Sequence, residues 1–156
     1  MLLKNMIVAA CGIAFCCLAA SAQAVTVGEL GDSQPSVSIA NNSGGNIASF
    51  AVEAASYRNA GTMVRFNGRC DSACTLFLGL PSNQTCVSQG AYFRFHSPSA
   101  GSARSEHIAQ NYLMRKYPGW VRNWIAQHNG LSHQLITMDY SVVSQHMQTC
   151  NRFASQ

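Results

Sequence analysis

Polar and apolar positions alternate through Ser36-Val37-Ser38-Ile39-Ala40, a period of two that predicts a strand. Asn41 to Gly45 is polar and glycine-bearing, as a tight turn requires. Ile47, Phe50, Ala51, Ala54 and Ala55 then recur at helical spacing, and Asn59 to Gly61 supplies the stop. Thr62 to Phe66 is the next predicted strand, ending near Asn67-Gly68. Strand, glycine turn, helix and strand in this order form a βαβ unit. Ser72 to Leu80 is an almost continuous apolar run, short enough for a buried helix that stops at Pro81. Ser82 to Cys86 is expected to turn, and the aromatic stretch Ala91 to Phe95 to form a strand whose end delivers His96. Helices follow over Arg104 to Tyr117, closed by Pro118, and over Trp120 to His128, closed by Asn129-Gly130. A last helix is expected from about Asp139 to Gln148, and a short strand over Val25 to Leu30. The pattern is that of one α/β domain with helices gathered toward the C-terminus.

The N-terminal stretch breaks this pattern. Lys4 precedes an apolar segment from Met6 to Ala20, and Ala22-Gln23-Ala24 is a small-x-small cleavage sequence. Residues 1–24 therefore read as a secretory signal peptide, with 25–156 as the exported domain, periplasmic or secreted. N-terminal sequencing of protein recovered from the periplasm or medium should begin at Val25; an intact Met1 on that product would refute the assignment. The segment carries Cys11, Cys16 and Cys17, so four of the seven cysteines remain: Cys70, Cys74, Cys86 and Cys150. An even count in an exported chain predicts two disulfides. The net charge of +4 over the whole chain is small, and its basic residues are scattered, which argues against a nucleic-acid-binding stripe.

One stretch, Gly68-Arg-Cys-Asp-Ser-Ala-Cys-Thr-Leu-Phe-Leu-Gly79, carries the chemistry. Ser72 follows a strand and opens an apolar helix, beside backbone N–H groups that the helix leaves free. The Ala73 N–H is placed to hold an oxyanion, and a second donor is available at Gly44-Gly45. His96, at a strand end, is the candidate general base. Asp139, the only acidic residue after Glu106, is the candidate to orient it. Each part also has a plain structural reading: a serine before an apolar run is a common helix cap, and a histidine in an aromatic strand is commonly structural. Nor is the stretch a Gly-x-Ser-x-Gly elbow of the α/β-hydrolase kind.

Taken in order, IANNSGGNI, VRFNGRCDSACTLFL and AYFRFHSPSAGSA resemble the Clp protease proteolytic-subunit family, and above all its exported, cysteine-bearing members. The resemblance spans roughly Ser36 to Gly101. It implies a ClpP/crotonase fold of repeated ββα units, with Ser72 as nucleophile, His96 as base, and Gly45 and Ala73 as oxyanion donors. It points to Asp139 as third member, although the sequence around Asp139 departs from the family's acidic motif. Neither ring assembly nor an ATPase partner carries over, since an exported chain meets no ATP and the helix that builds the ring handle is not evident; other oligomers stay open. The expected partner is a peptide or protein substrate, with no cofactor. The alternative function is a catalytically silent module that holds a peptide or protein in the same pocket or on the tryptophan face.

Four cysteines allow three pairings. The expected one joins Cys74 to Cys86 across a short helix-turn and leaves Cys150 for Cys70. Zinc binding by the four thiols is the lesser reading, because zinc sites favour two tight pairs. Trp120 and Trp124, at i and i+4, form a stripe that reads as core packing before it reads as a recognition surface. His107, His128, His133 and His146 form no metal-binding spacing.

Overall fold

The computed structural model describes residues 34–150. The expected signal peptide and the strand over 25–30 lie outside them. β1 (Ser36–Asn42), α1 (Ile47–Ala60) and β2 (Met63–Asp71) form the βαβ unit, with β1 and β2 parallel. A 3-10 helix, Ser72–Gly79, and a single 3-10 turn, Ser82–Gln84, follow. Then come β3 (Thr85–Val87), β4 (Tyr92–Phe95), α2 (Ala103–Lys116), α3 (Gly119–Gln127), β5 (Ile136–Asp139) and α4 (Tyr140–Val143). The fold is mixed α/β. β2 is central: β1 runs along one edge, while β3 and β4 pair in parallel with its first and last thirds. β5 closes the far edge antiparallel to β4.

β2 outlasts its expected end at Gly68 because that glycine sits in a bulge. Ile39 pairs with Phe66 and Asn41 with Arg69, so Asn67 and Gly68 together face Ala40. A Cβ at Gly68 would lie 2.1 Å from the Ala40 carbonyl oxygen, so only glycine lets the ladder continue. β3, in a stretch expected to turn, is three residues long, too short for a period of two to declare itself. The expected helix over 139–148 also gives way. Ile136 to Asp139 is held as a strand by pairing with β4, and α4 lasts four residues before the chain is drawn alongside β3 through the Val87 to Thr149 bridge.

One sheet face is apolar. Val64, Phe66, Phe93, Phe95 and Met138 on it are essentially inaccessible. The Phe66 and Phe93 rings meet edge to face at 4.9 Å. The 3-10 helix lies against β2 and β4 and is covered in turn by α1 and α2. Its Phe77 receives Phe50 and Tyr57 of α1 at 5.5 and 5.4 Å. Asn46 caps α1, its side chain accepting from the Ser49 N–H at 3.1 Å, and Gly61 ends it at φ 66°. Trp120 and Trp124 are half-buried against the same core; Trp124 touches Phe95 at 5.8 Å, and Trp120 stacks on His146.

The disulfides are Cys70–Cys74 and Cys86–Cys150, which corrects the expected pairing. The chain turns sharply between strand and 3-10 helix, bringing the Cα atoms of Cys70 and Cys74 to 5.4 Å. Val87 donates its N–H to the Gln148 carbonyl at 3.0 Å, so the C-terminal segment runs beside β3 and Cys150 arrives opposite Cys86. All four cysteines are thereby oxidised, which leaves no thiolate for zinc. Two disulfides are compatible with an exported protein. Among the described residues, no helix is long and apolar enough to cross a membrane.

Tyr117, at the C-terminal end of α2, is buried against Phe95, and burial pushes its hydroxyl pKa up to about 12. Between pH 10 and 12 the unfolded chain loses this proton first. It then binds fewer protons than the folded chain, and stability falls as pH rises. At about 1.4 kcal/mol per unit the loss is roughly 2–3 kcal/mol across that window. Urea midpoints measured from pH 9 to 12 should fall in the parent protein and fall less in Tyr117→Phe.

Candidate active site

Three neighbouring parallel strands end at the same edge of the sheet. β1 hands over to Ser43-Gly44-Gly45-Asn46, β2 to Ser72, and β4 to His96. Open sheets bind ligands in the crevice beyond such carboxyl ends. Here the crevice is a cleft of about 850 Å³ that Gly44, Gly45, Ser72 and His96 all line. Its walls are apolar: Ile47, Ala48 and Ala51 from α1, and Ile108, Ala109 and Tyr112 from α2. Among the described residues, no Asp, Glu, Lys or Arg side chain lines it.

Ser72 is the joint between β2 and the 3-10 helix, at φ 55°. The left-handed region costs an L-residue roughly 1–2 kcal/mol. Such strain persists only where the surroundings over-determine it, and it gathers at functional turns. The surroundings here are tight. Gly44, at φ 77°, lies so close that a Cβ on it would sit 2.5 Å from the Asp71 carbonyl oxygen, 2.8 Å from the Ser72 Cβ and 2.9 Å from the Ala73 nitrogen. The Gly44 N–H is taken by the Asn42 side chain at 2.9 Å. The Gly45 N–H has no hydrogen-bond partner among the described residues. Ala73 precedes the first donor of the 3-10 ladder, so its N–H is not spent on the helix. The glycine loop thus lies against the serine turn; Gly45 lines the cleft, whereas Ala73 is fully buried behind Ser72 and is not part of the lining.

His96 is half-buried, and its orientation is set by the next residue. Nδ1 lies 2.6 Å from the Ser97 carbonyl oxygen. A carbonyl only accepts, so Nδ1 is a donor here, and in the neutral imidazole the acceptor is then Nε2. Ser97 is itself anchored, its N–H donating to the Ser132 carbonyl at 2.6 Å.

Asp139 is not brought to His96. It is exposed at the end of β5 and pairs with Tyr92, four residues before the histidine, which is about 13 Å along a strand. The acidic residue close to the serine is Asp71, its immediate neighbour. Asp71 is buried and held by Arg94 through two hydrogen bonds, Nε to Oδ1 at 2.8 Å and Nη2 to Oδ2, with Arg69 at 3.6 Å. That bond to Asp71 raises the Arg94 pKa further. The pair clamps β2 to β4 one residue before Ser72 and two before His96. Sequence reasoning passed over both residues; the available signal was their nearly equal offsets from Ser72 and His96 on two adjacent strands.

Compared with protein-family models and with curated proteins, the chain matches none.

Proposed function

We propose that the protein is an exported serine hydrolase that cleaves a peptide or other amide bond through an acyl-enzyme at Ser72. The observation that carries this reading is the left-handed Ser72 at a strand-to-helix joint, in a cleft it shares with His96. In the proposed cycle, His96 Nε2 takes the Ser72 proton as Oγ bonds to the substrate carbonyl carbon. The resulting oxyanion receives the Gly45 and Ala73 N–H groups. His96 returns the proton to the leaving nitrogen as the C–N bond breaks. A water, deprotonated by the same nitrogen, then bonds to the acyl carbon; the C–Oγ bond breaks, the acid leaves and His96 returns the proton to Ser72 Oγ. The Ser97 carbonyl, rather than Asp139, holds the imidazole tautomer. A Clp-like fold with repeated ββα units belongs to the same proposal, supported by the chain order of glycine loop, helix, strand, serine, helix, strand and histidine.

The silent binding module is the second reading, favoured by the absence of any carboxylate hydrogen-bonded to His96 among the described residues. An alkyl fluorophosphonate separates the two. Attack by Ser72 Oγ forms an O–P bond and expels fluoride, and peptide mapping should place the adduct on the Ser72 peptide. Folded protein that remains unlabelled there leaves the binding module.

A further inference from the structure

Beneath Ser72 lies a buried chain of hydroxyls that the catalytic cycle does not use. Thr75 Oγ1 is 2.6 Å from the Ser72 carbonyl oxygen and 2.6 Å from the Tyr117 hydroxyl. Thr75 is fully buried and Tyr117 is 3% exposed, so water does not compete for these groups. The directions follow from proton count. The Ser72 carbonyl has no proton, so Thr75 must donate to it; having spent its only proton there, Thr75 must accept from Tyr117. The chain runs one way, Tyr117 to Thr75 to Ser72.

We propose that Thr75 and Tyr117 are positioning residues for Ser72: their hydroxyl chain ties the carbonyl of the strained serine to the C-terminal end of α2. Returning Ser72 to an ordinary negative φ would rotate its peptide groups and pull that carbonyl away from Thr75. Each hydrogen bond in the chain thus opposes relaxation of the turn. Burial keeps Tyr117 in its neutral, donating form. α2 also walls the cleft through Ile108 and Tyr112, so the chain couples the nucleophile's turn to the element that shapes the substrate's seat. A buried threonine–tyrosine pair is ordinary core; what sets this one apart is its final acceptor, a non-glycine residue in the left-handed region. For its catalytic consequence the inference rests on the hydrolase reading, and for its structural one on the hydrogen bonds alone.

The test compares parent protein with Thr75→Val, Thr75→Ser and Tyr117→Phe by two readouts. One is amide hydrogen exchange at Cys74 to Leu76. The other is the rate of Ser72 labelling by the fluorophosphonate. Thr75→Val keeps the shape and removes the hydroxyl, so exchange in the turn should quicken about tenfold, the worth of one hydrogen bond. Labelling should slow about 10- to 100-fold, as expected when a reacting group is displaced by a fraction of its working distance. Thr75→Ser should restore both values, and Tyr117→Phe, which leaves the Thr75 to Ser72 bond in place, should fall between. Should Thr75→Val fail to fold, the serine and phenylalanine variants decide. Parent-like exchange in Thr75→Val, or parent-like exchange and labelling in Tyr117→Phe, would overturn the proposal, as would a Thr75→Ser protein no better than Thr75→Val. If the parent itself is not labelled at Ser72, the hydrolase reading falls while the exchange readout still decides the positioning role.

Discussion

Ser72→Ala should eliminate fluorophosphonate labelling and reduce hydrolysis by roughly four orders of magnitude or more, with the circular dichroism spectrum unchanged. The serine side chain faces the cleft and makes no hydrogen bond to the described residues, so its loss leaves no core group unpaired. His96→Ala should be about as damaging, because nucleophile and base act as a unit. Asp139→Asn should leave the rate nearly unchanged, since Asp139 pairs with Tyr92 and not with the residue beside the histidine. Equal losses in all three variants would restore Asp139 to the site and contradict the strand register. Full biological activity in Ser72→Ala would favour the silent binding module.

Gly44→Ala should be the most damaging single methyl in the cleft, and its cost can be separated into two parts. Gly44 and Gly130 share a φ of 77°. A Cβ on Gly130 meets nothing within 4 Å, so Gly130→Ala measures only the left-handed strain, about 1–2 kcal/mol. On Gly44 the same methyl runs into backbone at Asp71 and Ala73 as well as the Ser72 Cβ, none of them the yielding end of a long side chain. Overpacking of this kind adds about 1–3 kcal/mol. Chemical denaturation should therefore find Gly44→Ala the less stable of the two. Ser72 labelling should be lost in Gly44→Ala and kept in Gly130→Ala, because only the first forces the serine turn to move. Equal stability and equal labelling would mean that the glycine loop does not press on that turn.

Much of this architecture was written in local pattern. Alternation in Ser36 to Ala40, the helical spacing from Ile47 and the stop at Gly61 predicted β1 and α1 because each rests on a repeat several residues long and a terminal signal. The helices before Pro118 and before Asn129-Gly130 were legible for the same reason. Ser72 and His96 could be singled out because each stands at the expected end of a strand, where parallel sheets present their ligands.

What eluded the pattern depends on partners distant in the chain. β3 and β5 are short, and their extended form is held by β2 and β4 rather than by their own propensity. The disulfide pairing turned on how sharply the chain bends at Ser72 and on the C-terminal segment lying beside β3, neither of which cysteine spacing encodes. Asp139 stands out in the sequence as the only acid after Glu106, but register carries it to Tyr92, and the Ser97 carbonyl accepts the histidine hydrogen bond instead. Tyr117 lies 42 residues from Thr75 and reaches it only because α2 folds back over the 3-10 helix. The sequence alone determined which residues could form strands, helices and the turn at Ser72, since those choices follow from backbone and side-chain preferences of near neighbours. The tertiary structure alone decided which hydrogen bonds hold Ser72 and His96, since a hydrogen bond is set by distance and direction in space and not by separation along the chain.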